Sequence, residues 1–284
     1  MTSTLTRASA RRPRSSQTLV GIVLLLITAA CWAYLFLLRS RMGDSASMGD
    51  MGTMAGAGSN DSVLAMPMTS AWTLADTILM WTMWAVMMAA MMIPSATPMI
   101  QAYRKTLTSP TPTGVTSSLT GSLPLFVVGY LLLWSGFGAA ATAGQRLLHD
   151  ATLVDAMGAS TSRWVAGPVL IVAGVYQFTP LKEACLGTCR TPLGFLLSEW
   201  RSGRSGAVLM GLHHGSLCLG CCWALMALLF VLGVMNLWWI ALVASVVLIE
   251  KLTRSAALPK VLGATLIGWG VLVISSVITT GTAS

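Results

Sequence analysis

Between Met210 and Met226 the chain reads MGLHHGSLCLGCCWALM, so His213, His214, Cys218, Cys221 and Cys222 interrupt an otherwise apolar run. On a helix, residues three or four apart share a face, which aligns His214, Cys218 and Cys221 and leaves Cys222 one step further round. Imidazole nitrogen and thiolate sulfur suit a soft or borderline ion, copper(I) or zinc, whereas calcium and magnesium require oxygen ligands that this stretch lacks. A single cysteine in a buried helix is often only a small apolar filler, and a single buried histidine often bonds a neighbouring helix. Five such groups at helical spacing point instead to metal or redox chemistry.

A second group lies in VYQFTPLKEACLGTCRTP, residues 175 to 192. Cys185 and Cys189 are four apart, so a helical turn directs both thiols the same way, and the charges of Lys182 and Arg190 favour thiolate. The spacing is not the CxxC of thioredoxin-like proteins. Read from sequence, this pair forms a cytoplasmic exchange station separate from the deeper His/Cys group. A third group is LMWTMWAVMMAAMMIP, residues 79 to 94, where Met80, Met83, Met87 and Met91 follow helical spacing and Met88 and Met92 make a neighbouring pair. Thioethers bind copper(I) and scarcely bind zinc, although methionine also fills irregular helix interfaces. Met88 and Met92 are therefore candidate thioether ligands. Further methionines, Met42, Met48, Met51, Met54, Met66 and Met68, stand with Asp44, Asp50 and Asp61 in a Gly/Ser-rich stretch that reads as a flexible external linker with a weak capacity to collect metal.

The elements that must carry these groups are membrane helices. Of 284 residues, 55% are hydrophobic and only 9% charged, with a mean hydropathy of +0.75, more apolar surface than a soluble core of this size hides. The formal charge of +8 sits at the ends of apolar runs, without a basic stripe carrying interleaved aromatics, so nucleic acid is excluded as a partner and the lipid bilayer is expected. Six cysteines in short local groups do not make a disulfide scaffold. The apolar runs predict an all-α polytopic transmembrane bundle of about seven spans, six at the least, at about 19–38, 72–93, 123–144, 164–181, 206–233, 236–250 and 259–278.

Loop charge orients this bundle with the N-terminus cytoplasmic. Arg7, Arg11, Arg12, Arg14, Arg104, Lys105, Lys182, Arg190, Arg201, Arg204, Lys251, Arg254 and Lys260 then fall inside, and only Arg39, Arg41, Arg146 and Arg163 fall outside. Three regions result: a basic tail and anchor over 1–41, the external Met/Gly/Asp-rich loop over 42–71, and the helical bundle over 72–279 with the Cys/His groups. A Ser/Thr/Pro/Gly connector occupies 106–122. Gly136, Ala140 and Gly144 recur every four residues and predict a close helix approach in the third span. Glu250 and Lys251 close the sixth span as a pair, a cap or an interfacial anchor.

No nucleophile–base–acid triad, phosphate-cradling loop or HExxH occurs, so hydrolase and nucleotide chemistry find no support. The segments GVYQFTPLKEACLGTCRTP, GSLCLGCCWALM, FVLGVMNLWW, IEK and MMAAMMIPS together resemble the bacterial domain-of-unknown-function 2182 family of predicted metal-binding integral membrane proteins, over about residues 72 to 278. That resemblance implies a multi-pass protein of the bacterial cytoplasmic (inner) membrane, with a metal site drawn from Cys185, Cys189, Cys218, Cys221 and Cys222. The leading expectation is binding of a soft ion, copper(I) ahead of zinc, for transport or for delivery to a metal-receiving or metallochaperone partner. Two rivals follow from the same residues: a membrane thiol–disulfide oxidoreductase that passes electrons onward, and a non-catalytic assembly subunit whose cysteines only pack.

Overall fold

The computed structural model describes residues 13–48, 73–108, 122–151, 163–234 and 236–281. These fold into helices alone. In chain order they are α1 (Pro13–Met48), α2 (Leu74–Thr108), α3 (Ser122–Asp150), α4 (Arg163–Tyr176), α5 (Pro180–Arg190), α6 (Pro192–Ser198), α7 (Gly203–Ala227), α8 (Leu229–Leu232), α9 (Leu237–Leu252) and α10 (Ala257–Gly281). Of the stretch expected to be an external methionine-rich loop, residues 42–48 continue α1, and the rest, like the core of the 106–122 connector, lies outside the described residues.

Five helices are long and apolar enough to cross a membrane: Thr18–Arg41, Leu74–Leu107, Ser122–Asp150, Gly203–Leu232 and Ala257–Ser276. A sixth is reached only by counting α4 and α5 together, and these two are bent by 62°. The expectation of about seven spans exceeds these five helices, or six with the bent pair, and the difference arises at two places. In the predicted 164–181 span, Pro180 cannot donate the backbone hydrogen bond that would continue α4, and Thr179 takes an extended conformation, φ −76° and ψ 143°. Thr179 then caps the new helix, its hydroxyl accepting from the Lys182 backbone N–H at 3.3 Å. In the predicted 236–250 span, α9 has 16 residues. At about 1.5 Å per residue this is roughly 24 Å, short of a hydrocarbon core of about 30 Å.

The turn into α9 is tight. Gly233 adopts a positive φ of 90°, which a side chain would resist, and its carbonyl accepts from the Asn236 N–H at 3.1 Å. Asn236 in turn caps α9 through the Trp238 N–H.

The core is built on α2, whose Met83, Trp84, Met87, Met88, Met91 and Met92 are essentially inaccessible. Trp84 donates its indole N–H to Gln145 Oε1 of α3 at 2.9 Å, which satisfies both buried groups. The close helix approach lies elsewhere than predicted. Gly136 meets no neighbour within 4 Å and Gly144 reaches only the Phe230 ring edge, whereas Gly211 and Gly129 bring α7 and α3 together so tightly that a methyl on either would strike backbone of the other helix. The glycines of α7 therefore serve packing, and α7 remains unbroken from Gly203 to Ala227. Gly167 and Gly174 of α4 make a similar close contact with Gly263 and Gly270 of α10.

α5 and α9 are joined by charge. Lys182 donates to Glu250 Oε2 at 2.7 Å, and both side chains are only 2% exposed. Arg190 donates through Nε and Nη2 to the Glu250 carbonyl at 2.9 and 2.7 Å, meeting an acceptor that the end of α9 leaves without a helical partner.

Candidate metal centre

Because α7 is a regular helix, His214, Cys218, Cys221 and Cys222 all turn inward and are buried. His213, one residue away, faces outward: it is 44% exposed on its side chain and places Nδ1 3.3 Å from a Glu199 carboxylate oxygen. The two histidines are thus separated by helical geometry. His214 packs among aromatic rings, with centroids 5.7 Å from Tyr130 and 5.5 Å from Phe195, and its Nδ1 has no hydrogen-bond partner. A buried ring nitrogen without a partner is unusual in a settled core.

The sulfurs of α7 are linked to one another. Cys221 and Cys222 each donate their thiol to the Cys218 carbonyl at 3.0 Å, and the thiols of Cys218, Cys221 and Cys222 also interact among themselves. The 62° bend then changes the relation of the second cysteine pair to the first. Rather than forming a separate station, α5 lies against α7: Cys185 Sγ sits over Gly220, and the Cys189 thiol interacts with that of Cys221. Tyr176 fixes this contact by donating its hydroxyl to the Gly220 carbonyl.

Tyr130 and Lys251 stand beside Cys218, with Ser95 next to Lys251, three residues that the sequence did not single out for this place. The hydroxyl of Tyr130 is 3.1 Å from Cys218 Sγ and donates to the Met92 carbonyl at 3.2 Å. Lys251, 8% exposed, donates its ammonium to Cys218 Sγ at 2.8 Å and to Ser95 Oγ at 3.0 Å. Ser95 also lies 3.9 Å from the Met92 sulfur, which brings Met92 to the edge of the same region. Met88 is fully buried in the α2 core. The available signal for Lys251 was its place in the last turn of an apolar helix, a position that reads equally well as an interfacial anchor.

No three His, Cys, Asp or Glu side chains among the described residues stand ready to hold an ion. With two thiol protons directed to the Cys218 carbonyl, gathering the sulfurs around a common point requires side-chain rotation. The donor chemistry nevertheless fits copper(I): several thiols in a dry setting, one unpartnered imidazole nitrogen and a thioether at the edge.

Helices of this length and apolarity, with thiols and an imidazole buried between them, define an all-helical protein whose longest helices suit a membrane. Residues 81–273, running from α2 into α10 and including every inward-facing donor described above, match the model of the PpoB2 family, described as a copper chaperone, and the chain belongs to that family. No curated protein and no solved structure matches it.

Proposed function

We propose that the protein is a multi-pass chaperone of a bacterial inner membrane that holds copper(I) between α5 and α7 and passes it to a receiving protein. Cys218, Cys221 and Cys222 with His214 are the principal ligands, Cys185 and Cys189 the exchange thiols beside them, and Met92, with Met88 behind it, the thioether side. In this reading His213 has no role as a ligand. The predicted metal-binding membrane family that the sequence resembles and the copper chaperone family are taken as one group, because the two similarities overlap across the same segments. The observation that carries the proposal is the seat of Cys185 Sγ over Gly220 of α7, between Cys218 and the Cys221–Cys222 pair in sequence, which supports sulfur donors from two helices at one place.

Several neighbouring thiols suit transfer as well as storage. An incoming thiolate partner can replace one sulfur at a time, so the ion need never be bare in a medium of low dielectric. Each thiol that binds as thiolate gives up its proton. Anaerobically purified protein in detergent is expected to bind copper(I) stoichiometrically. Replacing Cys218, Cys221 and Cys222 together by serine is expected to abolish that binding, and unchanged stoichiometry would remove the assignment. The Cys189–Cys221 contact also favours the thiol–disulfide alternative, for which alkylation would reveal a redox-dependent mass change in metal-free protein.

A further inference from the structure

Lys251 is a buried cation whose nearest charge-bearing partner is a prospective metal ligand. Its ammonium reaches Cys218 Sγ at 2.8 Å and Ser95 Oγ at 3.0 Å. Among the described residues no carboxylate pairs with it, because the adjacent Glu250 turns to Lys182. Cys221, Cys222, Tyr130, Cys189 and His214 also stand within reach of its charge. An ammonium removed from water needs a negative partner. Here the groups that meet it are a cysteine sulfur and a serine hydroxyl.

We propose that Lys251 is the resident cation of the thiol site, so that loading exchanges one monovalent cation for another on Cys218. The inference rests on the copper reading above and adds a residue that sets how tightly the ion is kept. In the empty protein the ammonium donates to Cys218 Sγ. When copper(I) binds the same sulfur, two positive charges would share it within a few ångströms, and their repulsion is weakly screened in a dry interior. The flexible four-carbon stem lets Lys251 withdraw from Cys218 while it keeps its contact with Ser95. Retention is thereby weakened, which is what a donor of metal requires. A lysine that merely filled space would stabilise the loaded and empty forms alike.

The test is copper(I) affinity and release, measured by competition with a coloured chelator on the full-length protein in detergent. Lys251→Gln, neutral yet able to hydrogen-bond Ser95, is expected to tighten copper(I) binding by at least roughly tenfold and to slow its release. Lys251→Leu carries the same loss of charge in a different shape, and Lys251→Arg, which retains the charge, is expected to bind no more tightly than the wild type. Against a Cys218→Ser background the gain from Lys251→Gln is expected to vanish, since the two act on one sulfur. If the folded neutral variants bind as tightly as wild type or more weakly, the inference falls while the chaperone reading stands. A wild-type protein that binds no copper(I) would instead remove the chaperone reading itself.

Discussion

The sulfur of Cys185 rests where a side chain on Gly220 would stand, since a Cβ at that glycine would come within 2.8 Å of it. Gly220→Ala is therefore expected to push α5 away from α7 and separate Cys189 from Cys221. A short bifunctional thiol reagent that bridges Cys189 and Cys221 in the wild type should give a much lower yield in the variant. An unchanged yield would mean that α5 adapts without moving.

The two histidines should behave oppositely. His214→Ala removes an inward imidazole with an unpartnered nitrogen and is expected to weaken copper(I) binding by roughly ten- to a hundredfold, the range seen when a group supporting a metal site is lost. His213→Ala alters only an exposed contact with Glu199 and is expected to change affinity by no more than about twofold. Chelator competition on both variants checks this, and equal losses would contradict the inward orientation of His214.

The Lys182–Glu250 pair should be costly to break and cheap to remove whole. Lys182→Met leaves a buried carboxylate without its cation and is expected to destabilise the fold by about 3–5 kcal/mol. Glu250 Oε1 and Gln177 Nε2 already lack partners, so the network is only partly satisfied. The double replacement Lys182→Met with Glu250→Leu should recover most of the loss. Thermal melts of the detergent-solubilised variants read both effects.

Glycine replacements should separate packing from helix propensity. Gly136→Ala meets nothing and is expected to be neutral or to stabilise α3 by up to about 1 kcal/mol. Gly211→Ala gains the same propensity but drives a methyl into the Phe126 carbonyl, so a net loss of stability is expected. Similar melting temperatures for the two would show that α3 and α7 can part without cost.

Periodicity was sufficient to locate the long helices, because an apolar run of this length has few other conformations available. It failed at Thr179–Pro180, where hydropathy stays high across a break that depends on a missing N–H and a capping hydroxyl. That failure carried into the site: with a straight fourth span, Cys185 and Cys189 belong to another level, whereas the bend lays them on α7. His214, Cys218, Cys221 and Cys222 were legible because they share one helix and one face. Lys251 and Tyr130, which reach Cys218 from other helices, and Ser95, which meets Lys251, were not, since none stands in a sequence pattern with Cys218. The small-residue ridge of α3 was a true periodicity on a face that meets no close neighbour, so spacing alone identified the wrong helix surface.

Arg190 grips the Glu250 carbonyl near the end of α9 while Lys182, two turns earlier on α5, grips the Glu250 carboxylate. The helix bearing Cys185 and Cys189 and the helix bearing Lys251 are consequently latched together. Displacing either one would therefore disturb the thiols of α5 and the Lys251 ammonium at once.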